Sequence, residues 1–293
     1  GTLFVSLDRD QLEALRRLFA LQQRLGLAAS WLDATRCREL EPALHPGVRA
    51  GIHAPEQEVD PRALTAALAT AVEAAGATIR PNTPVEAFEA GAVSLTGGGR
   101  IELSGGGCVV LAAGCWSGTI SGVPEALAAA IRPVKGQILR LHPRAGEAAP
   151  IRHLIRSEEV YLVPRASGEV VVGATVEEQG FDQSLTGGGM YELLRAAIEA
   201  VPQVRELALT EATAGLRPGS RDNGPLIGWA GPGLVMATGH YRNGVLLAPV
   251  TAEAVAALIE GRDGPDEVGP FVPSRPLGTG PEPGEREVAC SSR

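Results

Sequence analysis

The sequence is short of cysteine, of aromatic residues and of positive charge, and each shortage removes a class of function. Its four cysteines, Cys37, Cys108, Cys115 and Cys290, form no C-x-x-C pair and lie at no metal-ligand spacing from a histidine. They read as reduced, mostly buried small apolar residues, which fits a cytoplasmic protein, and no metal site is proposed from them or from the five scattered histidines. The formal net charge is 26 − 34 = −8 and aromatics are 4% of the chain. Nucleic acid and anionic membrane surfaces are therefore excluded as partners, because both need concentrated Lys and Arg. No apolar run approaches the roughly 18 residues of a membrane span. No signal peptide is visible at the start, which reads "GTLFVSL", without Met and inside a strand pattern; the expectation is that the natural start lies upstream.

What the sequence does have is glycine (37) and proline (22), with 44% hydrophobic and 20% charged residues over 293 positions. That is a globular balance with many tight turns, in a chain long enough for a large core or two linked domains. "TLFVSL" predicts a strand, and the next segment predicts an amphipathic helix with Leu12, Leu15, Leu18, Phe19 and Gln22 on one stripe and a stop at Gly26. "DPRALTAALATAVEAAGA" is the clearest helix: Asp60 caps it, Pro61 takes the first position, and Leu64, Leu68 and Val72 form its stripe. Short strands follow near residues 93–95, 101–103 and 108–112, joined by glycine loops. From Ile131 to about Val176 the pattern is almost all strand, which suggests an antiparallel sheet. Then come the helix "GGGMYELLRAAIEAVP", the segment "ALTEATAGLRPG", a strand at "LVMATG" and a helix over about residues 243–261.

Three segments carry chemistry. "CVVLAAGCWSG" is a buried strand running into a turn at Gly114; a plain core strand explains it, and a nucleotide contact beyond a strand end is the sharper alternative. "TAGLRPGSRDNG" sets Arg217 between Gly215 and Gly219, and "VYLVPR" sets Tyr161 in an alternating strand, with Arg165 read as a surface charge. "VMATGHYRNGVLLAP" takes a buried strand through a glycine turn into a helix start, where unpaired amides suit an anion or a carbonyl and small residues admit a flat ligand. Arg217 and Arg242 both read as lying in glycine-bracketed turns. A surface location explains each alone; with Tyr161 the two could clamp one carboxylate, because guanidinium matches it bidentately.

In this order, "PVKGQILRL", "VYLVPR", "VVVGATVEEQGFD", "AGLRPGSRDNGPLIG" and "ATGHYRNGVLLAP" resemble the D-amino-acid-oxidase-like flavoproteins, and within them the glycine oxidases of thiamine biosynthesis. The likeness covers roughly residues 1–261. It implies a mixed α/β and α+β fold, in which an FAD-binding Rossmann-like domain is interleaved with an antiparallel substrate domain. The expected division is 1–54 with 130–212 for substrate, 55–129 with 213–261 for FAD, and a disordered Pro/Gly-rich tail over 262–293. The resemblance makes Arg242 the main carboxylate anchor, with Arg217 also at the substrate and Tyr161 closing over it. It puts His240, Tyr241, Arg242, Asn243, Gly244, Val245 and Leu246 against the flavin and Val85 at the adenine portion; Gly114, in the turn after its buried strand, stands as a further candidate cofactor contact. No residue is expected to act as acid, base or nucleophile: a hydride leaves the α-carbon of a small amino acid such as glycine, and molecular oxygen returns as hydrogen peroxide. A homo-oligomer is a further expectation.

The sequence departs from this family at one point. No G-x-G-x-x-G occurs in it, and "TGGGR", "SGGGC" and "TGGGM" have the wrong spacing. The expectation is a family member without its amino-terminal dinucleotide unit, binding FAD poorly by itself. Sarcosine oxidase, D-amino acid dehydrogenase and a non-catalytic remnant stand as alternatives.

Overall fold

Period-two and period-3.6 patterns alternate along the chain, and the computed structural model, which describes residues 1–89 and 91–277, turns them into strands and helices in the expected order. β1 (Thr2–Ser6) leads into α1 (Arg9–Arg24), whose first turn Asp8 caps by accepting from the Gln11 amide. β2 (Ser30–Asp33), the seven-residue α2 (Ala34–Leu40) and β3 (Ala50–Ala54) follow. Leu15 is buried against Phe4 and Ile52, with Leu12, Leu18 and Phe19 packed beside it, so the predicted stripe is the buried one.

α3 (Pro61–Ala74) is capped by the Asp60 carboxylate, which accepts from the Arg62 and Ala63 amides. The short strands β4 (Val85–Glu89), β5 (Ala92–Leu95), β6 (Arg100–Glu102) and β7 (Val109–Leu111) lead to a 3-10 turn at Gly114–Thr119 and to α4 (Glu125–Ala128). Next are β8 (Arg132–His142), β9 (Leu154–Arg156), β10 (Tyr161–Pro164), β11 (Val170–Gly173) and α5 (Gly187–Ala200). The chain then forms β12 (Ala208–Gly219), β13 (Leu226–Gly231), β14 (Leu234–Thr238) and α6 (Gly244–Glu260), which Gly261 ends in the left-handed region at φ 67.

The strands build three sheets. The largest runs β12-β8-β11-β10-β9-β1-β3-β2, antiparallel except where β1 lies parallel to β9. One face of it carries Leu139, Leu141, Leu162 and Val172 onto Leu193 and Ala197 of α5, and this is the main core. A second sheet runs β13-β14-β7, with β7 parallel to β14, and a third runs β4-β5-β6. The mixed architecture expected from the sequence is the one observed, and among the described residues no helix is long and apolar enough to cross a membrane.

Four expectations need correction. Arg217 is not in a turn: β12 pairs with β8 through to Gly219. The stripe of α3 is not covered, for no α3 residue is buried and Leu68 is 54% exposed. Residues 262–277 are ordered, because Arg275 pairs with Asp222 and bonds the carbonyls of Gly224 and Pro225, and Leu277 packs against the core of the second sheet. The rest of the predicted disordered tail, with Cys290, lies outside the described residues. Arg165 is no free surface charge either; it is paired with Glu58 and mostly buried.

Candidate functional site

β7 and β14 are parallel neighbours, so the turns that leave them emerge side by side at their carboxyl ends, where open α/β sheets bind ligands. The Thr238 hydroxyl, at the end of β14, donates to the Gly114 carbonyl at 2.9 Å and fixes the two turns together. Gly239 takes φ 77, and Tyr241, with φ 49, is a side-chain-bearing residue in the left-handed region, a conformation that costs on the order of 1 kcal/mol. Tertiary contacts hold it there. Its amide donates to the Pro218 carbonyl at 2.8 Å, and His240 bridges Gly219, so the turn is laid against the end of β12.

His240 fastens the same turn to the helix behind it, its Nε2 lying 2.9 Å from the Thr251 hydroxyl. Burial pushes the imidazole below its ordinary pKa, so the ring is neutral at physiological pH. Asn243 gives α6 no side-chain cap, and helix geometry leaves the first amides of α6 without intrahelical acceptors. Asn243, Gly244, Val245 and Leu246 are all exposed, Leu246 by 77%. They form an uncovered, partly apolar shelf beside the turn. Val85 stands exposed at the start of β4, which the bridge between Ala87 and Ser121 sets beside the chain leaving the Gly114 turn.

Arg217 lies on β12 opposite Val134 of β8. Its side chain crosses over Gly136, and its Nη1 donates to the Lys135 carbonyl at 3.3 Å and the Thr175 carbonyl at 3.1 Å. A Cβ at Gly136 would meet the guanidinium, so Arg217 can lie as it does only over a glycine and would have to shift over any other residue. Tyr161 is held likewise: it pairs across the sheet with Gly173, where a Cβ would run into the phenol ring and hydroxyl. Burial pushes the Arg217 guanidinium below its usual pKa; Tyr161 and Tyr241 oppose that shift, and Arg242 adds to it. The two arginines and the tyrosine singled out in the sequence therefore lie within electrostatic reach of one another.

They do not stand alike. Arg217 is half-buried, whereas Arg242 is exposed at the rim. Among the described residues no carboxylate forms an ion pair with Arg217. Glu177, the acid within its electrostatic reach, has its oxygens engaged by Thr175, Gln137 and Lys135. Burial alone would raise the Glu177 pKa, but these donors outweigh it and hold the group ionised. The geometry therefore presents a partly desolvated guanidinium that forms no ion pair among the described residues, with a phenol and a second guanidinium within its electrostatic reach, which suits a small carboxylate. Sequence reading passed over Gly136 and Gly173 as site residues; glycine inside a strand run was the available signal for a close approach.

A profile of the FAD dependent oxidoreductase family matches residues 1–258. The chain is 35% identical over 240 residues to the bifunctional protein ThiO/ThiG of Nostoc sp., covering 79% of this chain and 35% of that protein. It is 32% identical over 266 residues to the glycine oxidase of Bacillus licheniformis, covering 89% of this chain and 69% of that one. Among solved structures, the glycine oxidase of Geobacillus kaustophilus matches with a TM-score of 0.85 at 28% identity, over 95% of this chain and 75% of the other. The chain thus spans little more than a third of that bifunctional relative, and 69% and 75% of the two glycine oxidases.

Proposed function

From the premise that this chain belongs to the FAD-dependent oxidoreductase family, we propose that it carries the substrate-binding, flavin-facing part of an oxidase of glycine or another small amino acid. Arg217 binds the substrate carboxylate, Tyr161 donates to it, and Arg242 completes the clamp from the rim. The exposure of the two arginines favours Arg217 over Arg242 as the main anchor. The large sheet is the substrate part, and the sheet of β7 and β14 with α3 and α6 belongs to the cofactor part. The product imine goes on to hydrolysis or to thiamine biosynthesis, and oxygen leaves as hydrogen peroxide.

The flavin fits one half of this arrangement. The strained turn, the uncapped start of α6 and the uncovered shelf at Val245 and Leu246 suit a flat ring with a carbonyl edge. The phosphate-holding turn is not formed by the described residues. Gly97–Gly99 and Gly105–Gly107 sit in exposed loops between short strands, and Gly187–Gly189 open α5, where Thr186 caps them on the far face of the large sheet. These residues alone are therefore expected to hold FAD weakly.

FAD supplies the two-electron oxidation when it is bound. The task left to this chain is to hold the carboxylate, aim the α-carbon and exclude water, which needs no acid–base pair. The observation that carries the proposal is the half-buried Arg217 guanidinium, which crosses Gly136 and forms no ion pair among the described residues. The test is peroxide release by FAD-loaded protein given glycine or methylamine in oxygenated buffer. Oxidation of glycine with peroxide supports the proposal, reduction of the flavin without peroxide favours a dehydrogenase, and equal turnover of methylamine removes the carboxylate clamp.

A further inference from the structure

β8 is an interior strand of the large sheet, with β12 on one side and β11 on the other. Its alternate residues face opposite ways. Gln137, Leu139 and Leu141 turn toward α5: Gln137 bonds Thr186 at the helix cap, and the two leucines join the main core. Gly136, Ile138 and Arg140 therefore turn to the other face. From Val134 to Leu141 every residue of the strand is buried except Ile138. It is half-buried and packs into none of the hydrophobic cores. An apolar side chain in the middle of an eight-stranded sheet is ordinarily covered, so its open side calls for a cause.

The register places that opening. Ile138 stands directly opposite Gly173 of β11 and Thr213 of β12, and such antiparallel pairs have Cα atoms about 4.5–5.5 Å apart. The Tyr161 ring and hydroxyl occupy the space into which a Cβ of Gly173 would project. Gly136 lies two residues back on the same strand and face, about 6.5 Å along it, and the Arg217 guanidinium occupies the space of its Cβ. The phenol and the guanidinium therefore rest over two glycines that both adjoin Ile138, and the isoleucine is the side chain at the corner between them. The β12 side of this corner is open: Gly215, opposite Gly136, is exposed, and a Cβ there would meet nothing within 4 Å.

We propose that Ile138 is the specificity-determining floor of the carboxylate site: the group that a substrate carries next to its carboxylate rests on this side chain, whose size holds that group to a small one. This rests on the carboxylate reading of Arg217 and Tyr161. The test is calorimetric titration of the full chain with acetate and with benzoate, paired with a thermal melt, for the wild type, Ile138→Ala, Ile138→Val and Arg217→Met. Ile138→Ala should move the acetate-to-benzoate affinity ratio toward benzoate by about tenfold or more, the discrimination that a few methylenes provide in an apolar pocket. Ile138→Val should move it the same way by less, and it keeps the test readable should Ile138→Ala not fold. A ratio unchanged in the folded variants overturns the assignment, and so does an equal loss of both ligands with a lowered melt, which makes Ile138 a packing residue. If Arg217→Met abolishes acetate binding in either of those cases, the carboxylate reading stands without Ile138. A wild-type chain that binds neither probe overturns both.

Discussion

Replacing Arg217 by Met tests the site at its most enclosed charge. The substitution keeps most of the stem that crosses Gly136 and removes the guanidinium that bonds the Lys135 and Thr175 carbonyls. Burial already depresses the guanidinium, so it has given up part of its hydration before any ligand arrives. Losing a charged partner from such a position costs about 2–5 kcal/mol of ligand binding. At about 1.4 kcal/mol per decade, that is roughly a thirtyfold to several-thousandfold loss in affinity. Folding should suffer modestly, because the variant removes a partly buried charge that forms no ion pair among the described residues, while leaving the Lys135 and Thr175 carbonyls without that donor. The assay is calorimetric titration with acetate, paired with a thermal melt. A melt near that of the wild type with acetate binding lost supports the reasoning. A variant that binds acetate as before refutes it, and a collapsed melt with unchanged affinity in the remaining folded fraction makes Arg217 a structural residue.

Gly136→Ala and Gly173→Ala should each weaken acetate binding without altering a contacting group, the first by displacing Arg217 and the second by displacing Tyr161; unaltered affinity in both would show that the strand glycines serve packing alone. Tyr161→Phe removes one neutral hydrogen bond and should cost only about 0.5–1.5 kcal/mol in the same titration, well short of Arg217→Met. His240 and His53 are held below the ordinary value of 6.5, mainly by burial. The unfolded chain then takes up protons first, so their contribution is complete above about pH 6.5 and fades as pH falls below it. Melting temperature should accordingly fall from about pH 7.5 to about pH 5.5, and His240→Gln, which keeps a group for Thr251, should shrink that fall; an identical fall would assign it to other groups. Arg275→Ala should expose the segment from 262 to 277 to proteolysis, because Asp222, held at about 2 against its burial by Arg275 and Ser220, is its anchor.

Much of this was legible in the residues, and the exceptions share a cause. Asp60 with Pro61 and the apolar run closed by Gly261 mark helix ends through local chemistry, and both helices form where expected. α2 went unread because seven residues hold less than two full periods of any pattern. Arg217 was read into a turn because Gly215 and Gly219 flank it, yet both glycines lie within a strand of twelve residues paired along its length. Glycine in a strand signals either a turn or a close approach, and only the partner strand decides between them. The relative standing of Arg217 and Arg242 was equally out of reach, since burial is set by β8 and by the segment after β11, far away in sequence. The apolar stripe of α3 shows the converse limit: periodicity says which face seeks cover, and it does not say what covers it.

The central claim is that Arg217, Arg242 and Tyr161 converge on one carboxylate. It is tested most directly by a crystal structure of the chain soaked with glycolate. The account predicts a carboxylate within hydrogen-bonding distance of the Arg217 guanidinium and the Tyr161 hydroxyl, with Arg242 turned in from the rim. Glycolate bound elsewhere while Arg217 keeps only its two carbonyl partners would contradict it.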